Sequence, residues 1–134
     1  MNLAESFAEY LETLGIGTLG QNIFIGQAPS SNRVSDSIWW IVANGGSPIS
    51  KNSTGESLKS YQISVYYRNR DYKEIYNSLS SLEEDINCNG CANLNDYDTI
   101  NIEANTFPID NDLDDEDRKV GLLQINLTTY KECI

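Results

Sequence analysis

The chain has no histidine, and of its 134 residues only nine are lysine or arginine against 20 aspartate or glutamate. Without an imidazole, Ser-His-Asp and Cys-His nucleophilic catalysis, histidine metal ligands and a side chain titrating near neutrality are all excluded. The formal net charge of −11 opposes close binding to a phosphate backbone, which is driven by Lys and Arg displacing counterions. A conventional DNA-binding role is therefore not expected. Long hydrophobic runs are missing too: nothing approaches about 18 apolar residues, and the first segment is acidic and amphipathic, with neither a basic start nor an apolar core of a leader. The expectation is a soluble protein, not secreted by a cleaved signal and without a membrane partner. Cysteine is scarce. The three present cannot all pair within one chain, and the closest two, Cys88 and Cys91, sit in a Cys-Asn-Gly-Cys stretch, so reduced thiols in a cytoplasm are expected. The Asn52-Ser53-Thr54 and Asn126-Leu127-Thr128 sequons read as chance matches.

What is present is a foldable amount of apolar residues. With 40% hydrophobic content over 134 residues, one compact domain spanning 1–134 is expected, burying about two-thirds of the surface of its unfolded chain. Leu3, Phe7, Tyr10, Leu11 and Leu14 recur at helical spacing, with Asn2 able to cap and Gly15 or Gly17 able to stop the helix. Ile23, Phe24 and Ile25 between Gly20 and Gly26 form a short apolar run, closed by Pro29, as a short buried strand requires; residues 30–36 read as a loop.

Residues 37–44 carry Ile38, Trp39, Trp40, Ile41 and Val42, a continuous β-favouring run that is either buried on both faces or meets another subunit. Gly45-Gly46-Ser47-Pro48 then reads as a turn, and residues 49–57, rich in Ser, Asn, Thr and Gly, as a mobile surface loop at the tip of a long hairpin. From 58 to 68, Lys59, Tyr61, Ile63, Val65 and Tyr67 alternate with polar positions and face the core. Asp71 and Glu74 make a capping-box-like start to a helix over 71–86, with Tyr72, Ile75, Tyr76, Leu79, Leu82 and Ile86 as one stripe. Residues 87–95 read as a turn. Tyr97, Thr99, Ile100 and Ile102, then Phe107 and Ile109, make two short β-like runs split at Asn105, and 119–130 forms the last strand. The sum is an α+β fold: an antiparallel or mixed sheet of four to five strands with two helices on one face.

Motifs that would carry chemistry fail on context. Gly15-Ile16-Gly17-Thr18-Leu19-Gly20 spells G-x-G-x-x-G but follows a helix, where a dinucleotide loop must follow a strand. Cys88 and Cys91 have zinc-knuckle spacing, yet Cys133 is the only further soft ligand and a zinc site needs about four. Cys88 also follows a helix end, where the dipole does not activate a thiolate. Residues 110–117 hold Asp110, Asp112, Asp114, Asp115, Glu116 and Asp117 and begin like a calcium loop, but Asp115 stands where glycine is needed and Gly121 where the bidentate glutamate belongs. They read as a solvated acidic loop. No cofactor or metal is expected, and no catalytic residue. Trp39, Trp40, Tyr61, Tyr66, Tyr67, Tyr72 and Tyr76, with few cations near them, read as core and interface residues before a stacking platform. Arg68 and Arg70 flank Asn69 at a strand-to-helix corner, either as exposed charges or as partners for an acidic loop of a neighbouring subunit.

The order of these phrases resembles a known family. A helix ending in Leu14-Gly15-Ile16-Gly17, then Ile23-Phe24-Ile25-Gly26-Gln27-Ala28-Pro29, then a hydrophobic strand running into Gly45-Gly46-Ser47-Pro48, is similar to the minor capsid and tail-terminator proteins of long-tailed bacteriophages. So is Tyr61-Gln62-Ile63-Ser64-Val65-Tyr66-Tyr67-Arg68 followed by the 72–86 helix. The resemblance spans residues 3–130. It implies a non-enzymatic virion protein, assembled in the host cytoplasm, whose subunits close into a ring, typically a hexamer, that caps the tail tube at the head-tail junction. The implied partners are further copies of itself, the tail tube protein and the head-completion or connector proteins, with DNA only passing through the lumen. By the same analogy Gly45, Gly46 and Pro48 would lie in a hairpin that reaches a neighbour or the tube. Asp110, Asp112, Asp114, Asp115 and Asp117 would then line an acidic lumen that repels phosphate. Another head-tail joining protein or a tail tube subunit is the alternative within this class. Outside it stands an acidic protein-binding or DNA-mimic regulatory module.

Overall fold

Leu3, Phe7 and Leu11 lie on one side of a helix, α1 (Leu3–Thr13), and all three are buried, together with Ala4 and Ala8. In this computed structural model residues 3–26, 37–43, 47–51, 56–89, 98–106 and 119–132 are described. The helix stops at Gly15, whose φ of 75° suits a residue without a Cβ. Its amide donates to the Glu12 carbonyl at 3.0 Å and the Ile16 amide to the Leu11 carbonyl at 3.2 Å, the two bonds of a Schellman stop. The Gly-rich spelling is thus partly a helix terminator. Gly17 has a different reason: a Cβ there would collide with the Asn22 carboxamide, which accepts the Thr18 amide at 2.7 Å.

The strands are β1 (Ile23–Ile25), β2 (Ile38–Ala43), β3 (Ser47–Lys51), β4 (Glu56–Asn69), β5 (Asp98–Thr106) and β6 (Lys119–Glu132), with α2 (Tyr72–Asn89) between β4 and β5. They form one sheet in the order β1-β2-β4-β6-β5, with β3 also paired to β4. Only β1–β2 is parallel. This is the expected α+β architecture. Both helices cover the same face, since residues of α1, α2 and one side of the sheet share a single core cluster. The alternation expected along β4 holds: Ile63, Val65 and Tyr67 are buried there, matched across the ladder by Ile41, Leu123 and Ile125.

Three local expectations are corrected. Residues 47–51 are strand, not the end of a turn (47–48) and the start of a loop (49–51): β2 pairs with 63–68 of β4 and β3 with 57–60 of the same strand, and these ladder bonds override the local composition. The rest of the hairpin tip expected over 45–57 falls partly outside the described residues: Gly45, Gly46 and 52–55. Pro48 sits in β3 beside a register shift, where its missing N–H is tolerated. Second, β5 runs unbroken through Asn105, which pairs with Gln124; Phe107 and Ile109 lie outside the described residues. Third, Tyr72 and Tyr76 are 50% and 57% exposed and stack on each other at 6.4 Å. The buried stripe of α2 is Ile75, Leu79, Leu82 and Ile86.

The corner between β4 and α2 depends on Asn69. Its Nδ2 donates to Ser37 Oγ at 2.7 Å and to the Tyr67 hydroxyl at 3.1 Å, while Oδ1 accepts the Asp71 amide at 2.9 Å. Asp71 in turn caps α2, accepting the Lys73 amide at 3.0 Å. Glu74 does not close the reciprocal bond of a capping box, because Asn69 already holds the Asp71 amide and Glu74 accepts from Tyr67 and Ser78 instead. Asn69→Ala should therefore lower unfolding free energy by about 2 kcal/mol, since it orphans several groups in a buried setting. Urea denaturation checks this, and a change under about 0.5 kcal/mol would show that the corner forms without it.

At the other end of α2, Asn87 reaches the β5 edge. Its Nδ2 donates to the Ala104 carbonyl at 3.1 Å and its Oδ1 accepts the Ala104 amide at 2.9 Å. One side chain thus occupies both backbone groups of Ala104.

Candidate assembly surfaces

Strand pleating divides the aromatic residues into two sets. Trp39 and Tyr67, opposite each other in the β2–β4 ladder, point to the helices and stack at 4.1 Å with planes 4° apart. Trp40 and Tyr66, one position along, stack at 5.1 Å and 7° on the opposite face. Neither helix covers that face. Around the Trp40–Tyr66 pair lie Val42, 40% exposed, and Leu122, which faces Tyr66 in the β4–β6 ladder. Farther along, the same face turns to hydroxyls and carboxamides: Ser64 and Gln124 in one row, Gln62 and Asn126 in the next. An aromatic centre beside a mostly polar field, with Glu103 beyond Asn126 and Arg68 beside Tyr66, is the composition of a protein contact surface. It offers no nucleophile with a base and no cation-lined groove.

The second surface is the hairpin arm. β4 and β6 each run 14 residues and stay paired from Asn69↔Lys119 to Glu56↔Glu132, a length of about 45 Å. The described core residues of β4 lie at 63–67. The half of β4 that pairs with β3 therefore extends the sheet beyond the part beneath α1.

The two arginines diverge. Arg68 is only 8% exposed, on the outer face opposite Ile38 in the ladder. Arg70 is exposed, and its carbonyl accepts Lys119 Nζ at 3.2 Å. Asn69, between them, organises the corner and drew no attention in the sequence, because a buried carboxamide has no periodic signature. Asp110, Asp112, Asp114, Asp115 and Asp117 lie outside the described residues, as does Cys91, while Cys88 falls in the last turn of α2. Among the described residues no group of three or more His, Cys, Asp or Glu is placed to hold a metal ion, and no helix is long and apolar enough to cross a membrane.

Comparison with known families returns one described as bacteriophage tail terminator protein, whose model matches residues 10–131. The chain belongs to the phage tail terminator family. No match was found among curated proteins. The family's role is structural, within the phage tail, and the matched segment runs from the middle of α1 to the end of β6. It takes in the outer sheet face, the hairpin arm and the β4–α2 corner of this tail terminator.

Proposed function

We propose that subunits of this tail terminator close into a ring, hexameric by the resemblance above, that caps the tail tube and presents a surface to the head-completion proteins. The observation that carries the reading is the family match, joined to a sheet whose helix-free face holds the Trp40–Tyr66 pair. A closed ring uses heterologous contacts, so each subunit needs two different patches. The outer sheet face is one and the arm of β3, β4 and β6 is the other. Pro48 lies on that arm, and exposed Arg70 marks the far corner of β4; Gly45 and Gly46 are proposed to join the same contact. The protein does no chemistry in this role, and its place is the head-tail junction of the virion.

Negative-stain electron microscopy of the purified protein, alone and mixed with tail tubes, with mass by light scattering, tests it. Single rings or capped tube ends are expected. Long cylinders would make it a tube subunit, and a monomer indifferent to tubes would favour an acidic binding module.

In the ring, Asp110, Asp112, Asp114, Asp115 and Asp117 face the lumen and keep DNA from adhering to it. Reversing the charge of Asp112, Asp114, Asp115 and Asp117 should leave folding and ring formation intact and reduce infectivity. Full infectivity of that variant would remove the acidic loop from the lumen.

A further inference from the structure

On the helix side of the sheet, α1 lies over β1 and β2 while α2 lies over β4, β5 and β6. Between them, above the β2–β4 seam, is a groove of about 430 Å³. The Trp39–Tyr67 stack forms its floor and Leu14, from the turn that ends α1, one apolar wall. The α2 wall is polar, with Glu74 at one end, Ser81 within it and Asp85 at the other. Among the described residues, the charged side chains lining the groove are the carboxylates Glu74 and Asp85. Glu74 is held in position, its Oε1 accepting the Tyr67 hydroxyl at 3.3 Å and the Ser78 hydroxyl at 3.2 Å. Leu14 is 39% exposed although it continues the apolar face of α1, leaving hydrocarbon open to solvent beside these carboxylates.

An apolar floor and wall beside two carboxylates, one of them held in position, match one side-chain chemistry: an aliphatic stem ending in a cation. We propose that this groove takes a lysine or arginine side chain from a basic segment of a partner protein, its stem against Leu14 and the aromatic floor and its head at Glu74 or Asp85. The occupant is basic because the charged side chains known to line the groove, Glu74 and Asp85, are both carboxylates, and a net-basic partner is drawn toward a chain of net charge −11. The site is on the opposite side of the sheet from the Trp40–Tyr66 face and does not depend on the ring contacts.

The probe is a short capped peptide of alternating lysine and leucine, with its glutamate-for-lysine version as control. In a Trp40→Phe background, Trp39 is the one remaining indole, since the chain has two tryptophans, and its ring N–H is followed by ¹⁵N NMR. A saturable shift with the lysine peptide and none with the glutamate peptide is expected. Glu74→Gln with Asp85→Asn should weaken binding about tenfold, and Ser81→Trp, at an exposed position of α2, should block the groove while circular dichroism stays unchanged. The proposal is overturned if the peptide binds without moving the Trp39 indole, which would place binding elsewhere, such as the acidic stretch at 110–117. Undiminished binding to the neutralised variant overturns it as well. So does a Ser81→Trp variant that loses only self-association, which would give the groove to a second copy. Ring formation is read separately by electron microscopy, so failure of the groove and failure of the ring are distinguishable.

Discussion

Trp39→Ala should lower the unfolding free energy by about 3–5 kcal/mol, the range for removing a large buried aromatic side chain. Trp39 is only 4% exposed, and its ring lies nearly parallel to Tyr67 at 4.1 Å, a contact that adds about 0.5–1.5 kcal/mol to simple burial. The position also matters for connectivity. β1 joins the sheet through β2 and α1 packs on these two strands, so the β2–β4 ladder is a main attachment of the described residues before 43 to the rest. Urea denaturation with its slope recorded is the check. A loss below about 1 kcal/mol would mean that β2 is held by its ladder bonds and by α1 without the aromatic pair. Trp39→Phe should cost clearly less, because a ring remains to stack on Tyr67.

The neighbouring aromatic pair should behave in the opposite way. Tyr66→Glu, or Trp40→Glu, places a charge on the face that no helix covers, so folding should change by about 1 kcal/mol or less. If rings form through that face, the same substitution should remove about 2 kcal/mol or more of contact energy per interface, the loss typical of a buried aromatic anchor. Light scattering should then find subunits where the parent protein gives rings. Rings of unchanged stability in Tyr66→Glu would move the contact to the arm. Comparing Trp39 and Trp40, adjacent in sequence, separates what holds the subunit together from what joins subunits.

Much of this fold was legible because side-chain periodicity encodes burial. Ile75, Leu79, Leu82 and Ile86 of α2, and Ile63, Val65 and Tyr67 of β4, all face the core as their spacing requires. Tyr72 and Tyr76 misled because they flank that stripe: Tyr76 lies about 100° round the helix from Ile75, where a ring with a polar tip is as well served by solvent. The strand character of 47–51 was hidden by Ser and Pro, residues that favour turns locally but are carried in a strand when a long one such as β4 is beside them. The parallel pairing of β1 with β2 has no local signal at all.

The surfaces were less legible than the core. Trp39, Trp40, Tyr66 and Tyr67 could be read as core or interface, but their division depends on the β2–β4 register, which no single strand reveals. The groove was invisible for a similar reason. It joins Leu14, Trp39, Tyr67 and α2, positions brought together only by where each helix settles on the sheet.

The amide and carbonyl of Ala104 are among the groups through which another strand would attach alongside β5. Asn87 presents to them the same donor and acceptor that a neighbouring peptide unit would. An incoming chain must first evict that carboxamide, giving up two hydrogen bonds before gaining any, so the sheet ends here by side-chain mimicry of the strand that is not there. If subunits meet as proposed, a β5 edge occupied at Ala104 resists continuation into an open-ended β-ribbon of the protein itself.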